Sequence, residues 1–175
     1  MPIFNLCQKN TPAAARLMAK VRPDYWDYDG AICQLSDIRN TAFNVGWIIG
    51  ENEENPKGWL LCVDYELYSC VSVECIGYDT EDQHTLEKQM SFLLQQAECY
   101  AKGKGYRIYR YVITSEGLSC HGRTLGEYGD ELRDLKSWDS KRFDFFVRYG
   151  FKPAGFMPDC YGANFHGVIM IKNLT

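Results

Sequence analysis

One stretch constrains the fold of this chain more than any other. Leu86, Met90, Leu93, Leu94, Ala97 and Ala101 fall at steps of 4, 3, 1, 3 and 4, one apolar face of a 3.6-residue period. Gly103 and Gly105 punctuate its C-terminal end. The β-branched and aromatic run Arg107 to Ile113 follows at once, and the alternating run Cys70 to Tyr78 precedes it. Strand, amphipathic helix and strand joined this way predict a parallel crossover of right-handed sense, because a twisted strand feeding a right-handed helix packs back on its sheet only that way. The 175 residues suffice for a single domain, 1–175, built around that unit.

The flanking segments fill in the architecture. Thr11 reads as an N-cap with Pro12 at the first helical position, and the helix runs to about Val21, where Arg22-Pro23 ends it. Residues 24–30 are turn-rich and aromatic, and the rings of Tyr25 and Trp26 are expected to cover a core edge or line a cleft. Val45 to Ile49 and Gly58 to Glu66 read as a hairpin, and Cys70 to Tyr78 adds a third antiparallel strand with Val71, Val73 and Cys75 on one face and Ser72, Glu74 and Ile76 on the other. Residues 116–137, with four glycines and many charges, read as an elaborated loop inserted after the strand at 107–113. Ser137 or Asp139 is expected to cap a last helix that buries Phe143, Phe146 and Val147 and stops at Gly150. Ala154 to Met157 and Phe165 to Ile171 would be closing strands, separated by a turn around Pro158-Asp159 and Gly162.

Composition narrows the function. Apolar residues make up 46% and charged residues 24%, the balance of a globular domain. Nineteen basic against 23 acidic side chains give a net charge of -4 with no Lys/Arg block, which argues against nucleic acid or an anionic membrane as partner. None of the eight cysteines forms a C-x-x-C pair, and Cys62, Cys70 and Cys75 lie in apolar runs, so neither a metal site nor a disulfide framework is signalled. With no secretory signal and no spanning segment in the sequence, the expected compartment is the cytoplasm and the expected partner a small molecule or a protein.

The predicted order is helix, three antiparallel strands, helix, strand, helix and two strands. It resembles that of the GCN5-related N-acetyltransferases (GNAT superfamily). Residues 93–109, LLQQAECYAKGKGYRIY, look like that family's third helix and fifth strand, and Phe145-Phe146-Val147-Arg148-Tyr149-Gly150-Phe151 looks like its late aromatic Gly-Phe signature. The resemblance implies an α+β fold of the acyl-CoA N-acyltransferase type: a mixed, mostly antiparallel sheet of about six to seven strands flanked by helices. It implies acetyl-CoA as cofactor and a small-molecule or peptide amine as acceptor, and it leaves room for a homodimer.

Residue by residue, the resemblance places the cofactor's pyrophosphate at the start of the third helix, on a family loop rich in glycine. Helix N-termini suit anions because free N–H groups and the helix dipole converge there. Here the matching positions are Thr85, Lys88 and Met90, preceded by an acidic run at Asp79, Glu81 and Asp82, so the glycines are replaced. Tyr78 and Thr80 would bring backbone amides to the thioester, and Asp139 matches the asparagine that opens the family's last helix. Glu74 matches the general base on the fourth strand. Phe146 occupies the position of the usual acid, a tyrosine, and Tyr149 is the alternative donor. Tyr25, Trp26 and His121 would wall the acceptor site. His84 and His166 are weaker titratable candidates. The competing readings are a GNAT-like module that has lost catalysis and binds a protein or other ligand, and a cysteine enzyme built on Cys120 and His121.

Overall fold

A computed structural model describes residues 1–40 and 44–174. The chain divides into two compact units, Met1–Arg107 and Ile108–Thr175. In the first, β1 (Ile3–Asn5), β2 (Asn44–Gly50), β3 (Pro56–Tyr65) and β4 (Cys70–Tyr78) pair in that order, all antiparallel. They are joined by α1 (Thr11–Val21) and α2 (Tyr28–Asn40), and α3 (Gln83–Gly103) follows β4. In the second unit, β5 (Ile108–Thr114), β7 (Phe165–Asn173) and β6 (Lys152–Gly162) pair antiparallel with β7 central, and α4 (Tyr128–Arg133) and α5 (Lys141–Arg148) lie between β5 and β6 in sequence.

The first unit is built on two layers of packing. Ala14, Ala15, Leu17 and Met18 of α1 and Ala31 and Leu35 of α2 bury against Ile48, Trp59 and Leu61. Trp47, beside Ile48 on β2 and so pointing the other way, meets Tyr100 of α3 edge-on at 5.7 Å. The expected stripe of α3 is buried from Met90 onward, whereas Leu86, in the second turn, is half-buried. Gly105 takes φ +74°, the left-handed conformation that lets Tyr106 N–H reach back to the Ala101 carbonyl and close the helix. Asp64, buried at the end of β3, accepts from the hydroxyls of Tyr100 (2.6 Å) and Tyr106 (2.5 Å), pinning that end of the helix to the sheet.

Several expectations are corrected. The helix cap falls at Asn10 rather than Thr11, because the Thr11 hydroxyl donates backward to the Cys7 carbonyl (2.8 Å) and Thr11 is already helical. Residues 24–30 are not wholly irregular: Asp27 accepts from Gly30 N–H (2.7 Å) as a cap, and α2 opens at Tyr28. Simple alternation along β4 fails. Val71 and Ser72 are both buried, and the register steps from Leu61 opposite Cys75 to Cys62 opposite Val73, making Glu74 the extra residue of a β-bulge.

In the second unit the last helix begins at Lys141 with Ser140 at the cap position, so neither Ser137 nor Asp139 caps it. Phe143, Phe145 and Phe146 are buried there while Val147 is 43% exposed, because an eight-residue helix presents only one stripe. Phe146 packs on Tyr111 (4.5 Å) and on Phe151 (5.2 Å), which in turn meets Tyr109. Pro158-Asp159 is not a turn. β6 runs through it to Gly162, which an edge strand tolerates because its outer side needs no N–H donor. The insert 116–137 is a loop that contains one short helix, α4.

Candidate active site

In the first unit the end of β4 and the start of α3 bring Thr80 and Thr85 together around Asp82. Asp82 is the N-cap of α3, and its carboxylate accepts from Thr85 N–H at 2.8 Å. Its own N–H donates to the Thr80 hydroxyl (3.2 Å). The Thr85 bonds foremost, with His84 behind them, hold the Asp82 carboxyl below its ordinary range. Asp82 followed three residues later by Thr85 at the head of an amphipathic helix is the cap signal that identifies this role in sequence. Met90 lies two turns into α3 with its side chain in the core, so it does not crowd the helix start.

The amides expected to polarise a carbonyl are engaged within the protein. Asp79 N–H donates to the Lys57 carbonyl (2.7 Å) and Thr80 N–H to that of Tyr78 (3.1 Å). The acidic run is also partly neutralised, because Lys20 of α1 contacts Asp79 at 2.6 Å. The Tyr78 ring is buried, its hydroxyl donates to the Met1 sulfur (3.7 Å), and burial followed by the Asp79 charge pushes the phenol up. Lys88 is exposed on α3. Glu74 is exposed at the bulge, and its charge, after burial, is the second cause raising the thiol of Cys62. Trp26 is half-buried against the α1–α2 core and stacks obliquely on Tyr25 (5.8 Å), which is 64% exposed and carries Arg22 over its ring.

The second unit holds the other candidates. Tyr149 follows α5 between Phe145 and Phe151, both at 6.2 Å, with the Lys172 ammonium 4.4 Å from its ring centroid. Asp139 is exposed beside Gly117, whose carbonyl accepts from Trp138 and Asp139. His121 is exposed, with Nδ1 3.0 Å from the Ser115 hydroxyl and its ring edge-on to Phe165 at 5.0 Å. Cys120 is fully buried, and burial pushes its thiol up; this contradicts the nucleophile reading, which needs an exposed thiolate. His166 is buried and satisfied, accepting from Asp159 N–H and donating to the Arg123 carbonyl (2.8 Å). Arg123 grips Glu131 through both guanidinium nitrogens (2.7 and 2.5 Å), which fixes the insert. His84 is exposed in the first turn of α3. Among the described residues no cluster of His, Cys, Asp or Glu is placed to hold a metal ion, and no helix is long and apolar enough to cross a membrane.

No family model and no curated protein sequence matches the chain. Solved structures do. The aminoglycoside 6'-N-acetyltransferase from Enterococcus faecium superposes with a TM-score of 0.82 at 12% identity, covering 100% of this chain and 98% of that one. An aminoglycoside 6'-N-acetyltransferase complexed with coenzyme A gives 0.83 at 13% identity with the same coverage. The ribosomal-protein-S18-alanine N-acetyltransferase from Escherichia coli gives 0.70 at 11%, covering 99% and 94%. The chain therefore has the acyl-CoA N-acyltransferase-like fold of the GNAT acetyltransferases, a seven-stranded mixed sheet flanked by helices.

Proposed function

We propose that this protein is an N-acetyltransferase that uses acetyl-CoA and passes the acetyl group directly to the amine of a small molecule or peptide. The observation that carries the reading is the full-length likeness to GNAT acetyltransferases, one of them complexed with coenzyme A. Acetyl-CoA, when bound, supplies an activated acetyl thioester. The chain's own residues divide the remaining work. The start of α3 would offer its dipole and first-turn amides to a diphosphate, with Lys88 and the Thr80 and Thr85 hydroxyls alongside. Because Asp82 already accepts from Thr85 N–H, its carboxylate would have to give up that donor to a bound diphosphate. This fits the group with a competitor built in.

Glu74, exposed on the bulged strand, accepts the proton lost by the attacking amine. Tyr149 would supply the proton that a departing thiolate takes up. Tyr25 and Trp26 are the acceptor-binding candidates of the first unit, and His121 is that of the second. Acetylation of a panel containing an aminoglycoside, a polyamine and a peptide N-terminus, followed by thiol release, tests the reading; release with none of them, at any cofactor concentration, would overturn it.

A further inference from the structure

Ser115 spends a buried hydroxyl on an exposed histidine. It sits just after β5 with no exposed surface, and it is fixed to β7 twice: its N–H donates to the His166 carbonyl (2.8 Å), and its Oγ accepts from His166 N–H (3.1 Å). Oγ carries one proton of its own. Among the described residues the remaining group within reach is His121 Nδ1 at 3.0 Å. Were Nδ1 to carry the proton and donate, Oγ would accept twice and its own proton would be buried without an acceptor, which is costly. The hydroxyl therefore donates to Nδ1, and the imidazole proton resides on Nε2.

The ring has little freedom to turn. Phe165 packs against it edge-on, His121 N–H donates to the Leu118 carbonyl and Gly122 N–H to that of Asn164, both at 3.0 Å. Tyr161, 49% exposed, packs on Phe165 at 5.5 Å and extends the aromatic floor. We propose that His121 is a specificity residue that presents an Nε2–H donor to an uncharged oxygen, hydroxyl or carbonyl, of the acceptor amine, and that Ser115 is its positioning residue. This rests on the acetyltransferase reading for the identity of the ligand. It assigns His121 to recognition of oxygen rather than to proton abstraction, because a nitrogen that already holds its proton is a donor.

The first test needs neither cofactor nor turnover, so its failure is distinct from failure of acetyl transfer. Long-range 1H–15N NMR of the protein alone at neutral pH should find Nδ1 unprotonated and Nε2 protonated in His121, and Ser115→Ala should mix the tautomers. A predominant Nδ1–H form, or a ratio that Ser115→Ala leaves unchanged, overturns the positioning role. His121 variants are exposed and spare the fold if Ser115→Ala does not. Kanamycin, an amine rich in hydroxyls, should shift the His121 Nε2 resonance, while spermidine, which has none, should not. His121→Ala should weaken kanamycin binding by about 3- to 10-fold, the worth of one neutral hydrogen bond, and His121→Gln, which keeps a side-chain N–H, should restore most of it. No shift with kanamycin, or an equal shift with spermidine, overturns the recognition role.

Discussion

Asp82 and a cofactor phosphate call on the same donors. The carboxylate satisfies Thr85 N–H, and it does so at the end of a helix dipole that favours any anion. Replacing Asp82 by Asn keeps a good cap while removing the charge, so Asp82→Asn should tighten coenzyme A binding by about 2- to 5-fold at low salt, and less at high salt. Unchanged affinity by calorimetry would remove Asp82 from the site. Glu74 makes the complementary case. Glu74→Gln keeps the size of the side chain and removes the carboxylate, so it should lower kcat by about 100-fold with residual turnover. Tyr149→Phe keeps the ring between Phe145 and Phe151 and removes only the hydroxyl; a fall in kcat of about tenfold or more is expected, and an unchanged kcat would remove Tyr149 from the acid role.

The elements explain why some of this was readable beforehand. α3 lies where its period predicted, because a strong apolar stripe buried on a sheet leaves little choice of register. Gly77 shows how tightly that sheet is built. It stands opposite Trp59 in the register, and a Cβ there would enter the Trp59 ring, which is itself fully buried and donates to the Cys75 sulfur (3.0 Å). Gly77→Ala should therefore destabilise by about 1 to 3 kcal/mol in a denaturant titration, as overpacking does. α2 escaped the sequence reading. Gly30 sits in its first turn, and among its described residues Ala31 and Leu35 are its fully buried positions, too sparse a stripe to outweigh the turn-like run before it. β6 was cut short for a related reason: proline marks a turn in most settings and is harmless on an edge. Placement of a candidate was legible where it depends on local sequence, as with Glu74 on β4. It was not legible where partners are distant, as with Lys20 on Asp79 or His166 on Ser115.

At the scale of the whole molecule the two units should fail at opposite ends of the pH range. In the first, the hydrogen bond to Asp64 and then burial push Tyr106 from 10.0 up to about 12, and Tyr100 shifts the same way, burial first. A raised value in the folded state means stability that is complete below the ordinary value of 10.0 and is lost as pH rises toward 12. In the second, the Arg123 bonds and Gly126 N–H hold Glu131 at about 2, below its ordinary 4.5, so its contribution is present above 4.5 and lost as pH falls toward 2. Hydrogen exchange should show residues around 64, 100 and 106 loosening first in alkali and the insert 116–137 loosening first in acid. The reverse order would contradict both assignments.

The measurement that bears most directly on the acetyltransferase account is thermal unfolding with and without acetyl-CoA. At 100 times its dissociation constant the cofactor should stabilise the protein by about 2.7 kcal/mol and raise the melting temperature visibly. A melting temperature that does not move at millimolar acetyl-CoA would mean that Asp82 holds the start of α3 against the cofactor, and the account would fall.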